Sequence, residues 1–373
     1  MDLLRFRMAI EFAVGYPKWS RNTVEAKHKD AQIARLYEDI SQNANAVAPA
    51  PSFDRDASSK NTFGVGETTR DWNVPLQSYG PLFPLISSRN DWTAMNPNRL
   101  APASLPVVLD FQGVILWTPV FDASATSLHL ISIVCEMLLR DYNVFFSKDF
   151  VMEIHVYRKT CRPYTGIDIA NFLATVWKFE HLLDTLHAKP PPSAVSNGGW
   201  LLQKPLHARH LQHNQRNPNP RHPGSWPSYD PYMSKEELEC VLSCRNLQEV
   251  IDMTYGPHGL SCQKYGFCDS PIPSIRFNQH ESTLDSASIK NWLMVCFGLV
   301  VLSDSNSPNL KPAAYLRWAL ENPGYTVMDL LWAIGLPEQA EYYGARKKST
   351  SEKMMGGDGS YGSWSRQSDF LEI

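Results

Sequence analysis

The amino-acid sequence predicts an α+β fold in which a β-sheet is flanked by helices. Residues 4–14 alternate bulky apolar residues with Arg7, Ala9 and Glu11, which is the pattern of a half-buried strand. Residues 167–187 repeat apolar residues every three or four positions, which is typical of an amphipathic helix. Because predicted strands and helices follow one another irregularly, the order favours an α+β sheet over a doubly wound parallel sheet.

The remaining elements follow from the same periodicities. The predicted strands are residues 4–14, 72–76, 113–119, 149–157 and 274–280. The predicted helices are residues 23–43, 124–141, 167–187, 285–302 and 326–340, with a further helix that starts near Ser234. Asp285 is expected to cap the helix that follows it. Residues 47–69, rich in Ala, Pro, Ser and Asp, are expected to form a loop or an insertion.

Two segments are predicted to lack regular structure. Residues 188–234 carry three consecutive prolines and a stretch of Asn, Pro, His and Arg, so we interpret them as an irregular insertion. Residues 348–373, with Gly, Ser and charge, are expected to form a disordered tail. The sequence therefore predicts one folded domain over residues 1–347, interrupted by the insertion.

The composition is that of an ordinary globular protein and excludes several classes. The 373 residues are 43% hydrophobic and 20% charged, with a net charge of −3. Because the basic residues are scattered, neither a nucleic-acid nor a membrane partner is predicted. Arg5, Arg7 and Glu11 interrupt the N-terminal apolar stretch, so no signal peptide is recognised. The longest apolar run, residues 292–302, is shorter than a membrane span and is expected to be a buried helix.

Cysteine usage gives the expected compartment. The chain has seven cysteines, an odd number spread over a long sequence without a signal, which fits reduced thiols and a cytoplasmic location. The pairs Cys240/Cys244 and Cys262/Cys268 lack the two-residue spacing of common zinc knuckles, so free buried thiols are expected there. No motif supports Cys161, which is near His155 in the sequence, as the nucleophile of a thiol hydrolase. The sequence does not indicate an oligomeric state.

A histidine cluster lies in the insertion. His207, His210 and His213 are followed by His222, a spacing that would suit a metal site on a helix. The surrounding prolines and asparagines favour a solvated loop instead.

A long segment resembles a known family. Residues 274–300, SIRFNQHESTLDSASIKNWLMVCFGLV, resemble the hallmark of fungal amidoligase proteins, a carboxylate–amine ligase group related to glutamine synthetase. Shorter segments resemble other parts of the family in the same order. They are MAIEF (residues 8–12), GVILWTPVF (113–121), EIHVY (153–157), FEHLLDTLH (179–187), SCRNLQEVIDM (243–253) and IGLPEQAEYY (334–343).

The resemblance implies a fold and a reaction. The fold would be a glutamine-synthetase-like, mostly antiparallel sheet flanked by helices, with ATP, Mg2+ and a carboxylate substrate bound on one sheet face. The reaction would be ATP-dependent carbon–nitrogen ligation, in which the carboxylate is phosphorylated and an amine then displaces phosphate. Carboxylates hold Mg2+ against the phosphates in such chemistry, and an arginine neutralises the transferring group.

Residue by residue, the resemblance implies a partly altered site. Glu11, Glu153 and His155 occupy metal-ligand positions of the family, and Arg276, Asn278 and His280 occupy catalytic ones. Two acidic positions of the family are Ala9 and Ile115 here, and neither side chain can hold a cation. The family's phosphate-facing arginine is Asn278, whereas Arg276, one pleat away, replaces an acid.

Other residues of the hallmark segment have structural interpretations. Gln279 is expected on the face opposite His280, bonded to backbone. Glu281, Thr283 and Asp285 lie where a strand turns into a helix, so capping explains them as well as catalysis does.

Two function classes remain open from the sequence. One is an enzyme that joins a small-molecule or peptide carboxylate to an amine with ATP and Mg2+. The other is a catalytically inactive homologue that binds a ligand or a partner. The discriminating positions are Ala9 and Ile115, because another carboxylate in the same space, such as Asp110 or Glu67, would favour the enzyme.

Overall fold

The structure is a computed structural model that describes the chain in several ranges separated by gaps. The described residues are 4–17, 23–49, 91–95, 109–146, 150–159, 164–187, 234–246, 249, 265–268, 273–305, 311–322 and 324–356. The strands are β1 (Leu4–Pro17), β2 (Thr93–Met95), β3 (Leu109–Trp117), β4 (Phe121–Asp122), β5 (Val144–Phe145), β6 (Val151–Arg158), β7 (Tyr265–Cys268) and β8 (Ser274–Glu281).

The helices alternate irregularly with these strands. They are α1 (Thr23–Val47), α2 (Ala125–Asp141), α3 (Gly166–Leu183), α4 (Lys235–Leu242), α5 (Ser286–Ser303), α6 (Pro312–Leu320), α7 (Val327–Ala333) and α8 (Pro337–Gly356). A short 3-10 turn, Asp184–Leu186, extends α3. The predicted α+β class is confirmed by this mixture of helices and antiparallel strands.

All the described strands belong to one antiparallel sheet. The main path runs β2-β3-β1-β6-β8-β7, and the short strands β4 and β5 also pair with β1. The four strands predicted around residues 4–13, 113–119, 152–157 and 274–280 belong to one sheet, as expected, and they are neighbours in the order β3-β1-β6-β8. The strand predicted at residues 72–76 lies outside the described residues.

The structure describes only part of the two segments that were predicted to lack regular structure. Residues 188–233 of the predicted insertion lie outside the described residues, as do residues 357–373 of the tail. Helix α8 continues to Gly356, past residue 348 where the tail was expected to begin.

One face of the sheet carries the hydrophobic core. Alternate residues of β1, from Phe6 through Met8 and Ile10 to Phe12, are almost fully buried among helices. Phe6 contacts Phe297 of α5 with ring centroids 5.3 Å apart. On β8, Phe277 packs edge-on against Phe172 of α3 at 5.4 Å. This face is therefore the helix side of the sheet.

Helix α5 is the central helix of this layer. It contacts α2, α3 and α8 as well as strands β6 and β8. By length and composition alone it is apolar enough to cross a membrane, but 67% of its 18-residue window is buried within the protein. The expectation that residues 292–302 form a buried helix is confirmed.

A close approach explains the glycine of the CFGLV segment. A Cβ atom added at Gly298 on α5 would lie 2.8 Å from Leu336 Cδ1 and 2.9 Å from Ile334 Cδ1. These two side chains belong to the turn between α7 and α8, where Gly335 has φ 76° and closes α7. Left-handed glycine is the common terminator of a helix because it carries no Cβ. The two glycines together bring the turn against α5.

Candidate functional site

The second face of the sheet carries the polar residues predicted as a site. We call it the distal face, defined by Arg7, Ala9 and Glu11 of β1, Glu153 and His155 of β6, and Arg276 of β8. Residues directly opposite each other on paired strands point to the same face. The register therefore arranges the distal face in rows that cross the strands.

The first row places a histidine between two arginines on neighbouring strands. Arg7 on β1 pairs with His155 on β6, and His155 pairs with Arg276 on β8. Neighbouring strands are about 4.8 Å apart, so the three side chains start close together. The Arg7 guanidinium also lies 4.8 Å from the centroid of the Trp117 ring and donates from Nε to the Thr118 carbonyl oxygen at 3.0 Å. This row is rich in positive charge.

The second row is mostly apolar. Ala9 lies between Trp117 of β3 and Glu153 of β6. The Trp117 ring lies 5.9 Å from the His155 ring, and Tyr157 stacks on the other side of His155 at 6.3 Å. Glu153 is thus the one acidic side chain among these aromatic groups.

Glu11 stands at the far end of the distal face. Its register partner on β3 is Ile115. The Glu11 side chain is 6% exposed and its Oε2 accepts a hydrogen bond from the backbone N–H of Val151 at 3.2 Å. Glu11 therefore helps to hold the start of β6 against β1.

Two of the three predicted metal ligands are brought together. His155 Nε2 lies 2.6 Å from Glu153 Oε1, and His155 Nδ1 lies 3.0 Å from the hydroxyl oxygen of Ser274. Glu11 shares the face but turns to Val151 instead. Within the described ranges, no group of three or more His, Cys, Asp or Glu side chains is placed to hold a metal ion. The donor set found here does not fit a Mg2+ site of several carboxylates.

The predicted catalytic set is divided between the two faces. Arg276 lies on the distal face, but His280 pairs with Met152 and is buried on the helix side. The reason is a β-bulge. Met152 pairs with His280 and Ile154 pairs with Phe277, so β8 contains one more residue than β6 between these two pairs. The expectation that Arg276, Asn278 and His280 share one face is wrong, because the extra residue inverts the alternation after Phe277.

Buried contacts on the helix side fix His280. Its Nδ1 lies 2.5 Å from the Glu281 carbonyl oxygen, and its Nε2 lies 3.3 Å from the Ser288 hydroxyl. The His187 and Trp292 rings pack against it at 5.0 and 5.8 Å. Burial lowers the pKa of His280 to about 4, the Glu281 carbonyl opposes that shift, and Arg346 adds to it. His280 is thus a neutral core histidine.

The bulge residues have structural roles as well. Asn278 and Gln279 lie between the two paired positions. Gln279 donates to Asp184 Oδ1 at 2.6 Å and accepts from the Tyr265 hydroxyl, so its partners are side chains rather than the expected backbone.

The capping interpretation holds at the start of α5. Asp285 accepts from the backbone N–H groups of Ala287 and Ser288, and Thr283 Oγ1 accepts from the N–H of Asp285. Glu281 pairs instead with Arg346 of α8 at 3.4 Å.

Among the described residues, the cysteines form no metal-binding group. Cys244 is a buried free thiol, as expected, whereas Cys240 is exposed, because it lies on the outer side of the short helix α4. Several residues considered in the sequence analysis lie outside the described part of the chain. They are Cys161, Cys262, Glu67, His207, His210, His213 and His222. Asp110 pairs with Tyr16, which lies seven residues after Ala9 on β1.

Sequence reasoning missed four members of the distal face. They are Ser274, Arg7, Trp117 and Tyr157. Strand pairing brings Ser274, Arg7 and Trp117 near His155, whereas Tyr157 lies two residues after it on β6. Ser274 could have been found from its position, two residues before Arg276 on the same strand.

Comparison with protein-family models, with curated proteins and with solved structures gives no match, so the candidate site rests on the geometry of the distal face alone.

Proposed function

We propose that this chain is an amidoligase-type protein whose distal face binds the carboxylate of a small molecule or peptide, without ATP-dependent ligation. The observation that carries the proposal is the row Arg7–His155–Arg276, in which two arginines on neighbouring strands are the register partners of one histidine. A guanidinium is the side chain best suited to a carboxylate, because its planar N–H groups match the two oxygens.

The same row disfavours a magnesium–nucleotide site. A divalent cation next to two guanidinium groups is repelled, and that repulsion is strongest where the groups are withdrawn from water. The carboxylates that would offset it are too few: Glu11 is engaged by the Val151 N–H and Glu153 by His155. Ala9 and Ile115 occupy the other two acidic positions of the family resemblance.

ATP-dependent joining of a carboxylate to an amine is the second candidate. It is favoured by the family resemblance and by the two glutamates, Glu11 and Glu153, that remain on the distal face. In that case ATP and Mg2+ would be needed, and binding of the nucleotide would depend on the metal ion.

Calorimetry separates the two candidates. The purified chain is titrated with glutamate and with succinate, each with and without Mg2+, and with a non-hydrolysable ATP analogue plus Mg2+. We expect the dicarboxylates to bind equally with and without the metal ion, and the nucleotide not to bind. Mg2+-dependent nucleotide binding would overturn the proposal in favour of the ligase.

A matched pair of arginine variants locates the binding. Arg7→Gln should weaken dicarboxylate binding at least tenfold, because it removes one of the two guanidinium groups of the row. Arg140→Gln removes an exposed arginine whose ion pair is with its neighbour Asp141, and should leave the affinity unchanged. Equal affinities in both variants would show that the distal face is not the binding site.

A further inference from the structure

A continuous chain of hydrogen bonds links a hydroxyl, an imidazole and a carboxylate on the distal face. Ser274 Oγ lies 3.0 Å from His155 Nδ1, and His155 Nε2 lies 2.6 Å from Glu153 Oε1. Two strands carry these residues. Glu153 and His155 are two residues apart on β6, and Ser274 is the first residue of β8. Nucleophile, base and orienting acid are the parts of a serine acyl-transfer site.

The carboxylate fixes which imidazole nitrogen carries the proton. An ionised glutamate only accepts hydrogen bonds, so the Nε2–H of His155 must donate to Glu153. The lone pair of Nδ1 then points to Ser274, whose hydroxyl donates to it. His155 is thereby in the tautomer that can take the Ser274 proton.

Arg276 supplies a positive group on the same strand. It lies two residues after Ser274, so both side chains start on the same face of β8, and its register partner is His155. A guanidinium beside the nucleophile would stabilise the negative oxygen that forms when a carbonyl carbon is attacked.

Exposure decreases along the hydrogen-bonded series from Glu153 to Ser274. Ser274 and His155 are 1% and 4% exposed, whereas the Glu153 side chain is 27% exposed. The half-buried rings of Trp117 and Tyr157 flank His155 on its two sides. A flat acyl group can stack on these rings.

We propose that Ser274 is the nucleophile of a carboxylic-ester hydrolase site, with His155 as general base, Glu153 as the positioning residue and Arg276 facing the oxyanion. The Ser274 proton moves to His155 Nδ1 as the Oγ–acyl carbon bond forms. The ester C–O bond then breaks, and the leaving alcohol takes that proton. Water, deprotonated by His155, cleaves the acyl-serine, so that one ester and one water give one acid and one alcohol.

This reaction uses neither nucleotide nor metal ion, and its test is separate from that of carboxylate binding. The intact chain is treated with a fluorophosphonate probe, and the adduct is located by peptide mass spectrometry. Hydrolysis of p-nitrophenyl acetate is measured in parallel. We expect the adduct on Ser274 and a hydrolysis rate at least ~100-fold above that of Ser274→Ala.

Two further variants control for folding and for position. Ser282→Ala removes a buried hydroxyl that has no hydrogen-bond partner among the described residues, and should retain labelling and hydrolysis. Glu153→Gln should lower kcat and leave KM unchanged, because it disturbs the His155 tautomer without touching substrate. An adduct at another residue of the wild-type chain, no adduct at all, or equal rates for wild type and Ser274→Ala would overturn the proposal. Because the adduct is mapped on the wild-type chain, this outcome does not depend on any variant folding.

Discussion

Arg158 Nη1 lies 3.0 Å from Asp168 Oδ2, and both side chains are nearly inaccessible to water, with 9% and 1% of their surfaces exposed. Asp168 also caps α3 through Thr165 and accepts from the N–H and hydroxyl of Ser305, which follows α5. A single carboxylate thus ties strand β6 to two helices.

Replacing this carboxylate should strongly destabilise the fold. Asp168→Asn leaves Arg158 buried without its main counter-charge, a change that typically costs about 3–5 kcal/mol. Urea unfolding at neutral pH measures the loss. Asp141→Asn, which breaks the exposed pair with Arg140, is the matched control and should cost less than about 1 kcal/mol. Similar losses in the free energy of unfolding of the two variants would show that the buried contacts of Asp168 do not stabilise the fold more than an exposed ion pair does.

Asp168 also makes the fold sensitive to acid. Burial alone would raise its pKa, but hydrogen bonds from Ser305, Thr165 and Arg158 outweigh burial and hold that pKa well below its ordinary value. A carboxyl whose pKa is depressed in the folded state stabilises it above the unfolded pKa of about 4, and that contribution is lost as the pH falls below it. We expect acid unfolding of Asp168→Asn to depend less steeply on pH below about 4 than that of the wild type.

His280 should give a second pH dependence at higher pH. Because burial lowers its pKa to about 4, the unfolded chain, with an ordinary value of about 6.5, takes up a proton that the folded chain refuses. The free energy of unfolding therefore falls as the pH drops from about 6.5 to about 4, by up to ~3 kcal/mol. Arg346, Glu281 and His187 are the ionisable groups packed around it.

The measurement is chemical unfolding at several pH values between 4 and 7. His280→Asn keeps a donor for the Glu281 carbonyl but cannot titrate, so its stability should change less over this range than that of the wild type. His129→Asn replaces an exposed histidine on α2 and should keep the wild-type slope. An unchanged slope in His280→Asn would contradict the assignment of a neutral core histidine.

Two glycine-to-alanine changes should have opposite signs. Gly298→Ala places a methyl group within 3 Å of Leu336 and Ile334, and we expect a loss of about 1–2 kcal/mol from the required displacement. Gly344→Ala, in α8, meets nothing within 4 Å and should gain about 0.5–1 kcal/mol from helix propensity. Thermal unfolding of both variants tests the close packing of α5 against the α7–α8 turn.

Restoring the two acidic positions should create a dependence on divalent ions. Ala9→Glu would set a carboxylate beside Glu153, and Ile115→Glu would set one beside Glu11. Without a cation the paired charges repel, so the double variant should be less stable than the wild type. Mg2+ at ten times its Kd should then restore about 1.4 kcal/mol.

The control for that experiment is the double variant Ala9→Gln and Ile115→Gln, which has the same size and no charge. Its stability should not respond to Mg2+, nor should that of the wild type. A failure of Mg2+ to stabilise a folded Glu double variant would show that these four positions do not converge.

The sequence predicted strands better than it predicted the site. Alternation in residues 4–14 and 274–280 identified β1 and β8, because half-buried strands impose a period of two. The same rule failed for His280, because a β-bulge between Phe277 and His280 changes the alternation and cannot be recognised from the sequence pattern.

The grouping around His155 was also beyond the sequence. Ser274 and Glu153 are separated by more than a hundred residues, and only the pairing of β6 with β8 brings both to the imidazole. A local sequence pattern indicates on which face of a strand a residue lies. Only the pairing register between strands determines which residues lie beside it. The pair Glu153–His155 was predicted as part of a metal site because the family resemblance implies metal ligands at these two positions.

The position of β1 has a consequence for biosynthesis. It pairs with β3, β4, β5 and β6, yet β3 begins only at Leu109 and β6 only at Val151. At a translation rate of about 10 residues per second, the emerging strand waits on the order of ten seconds for partners on both sides. During that interval Phe6, Met8, Ile10 and Phe12 are exposed on a chain segment with unsatisfied backbone groups. We therefore expect slower translation between residues 17 and 109 to lower the soluble yield of the protein.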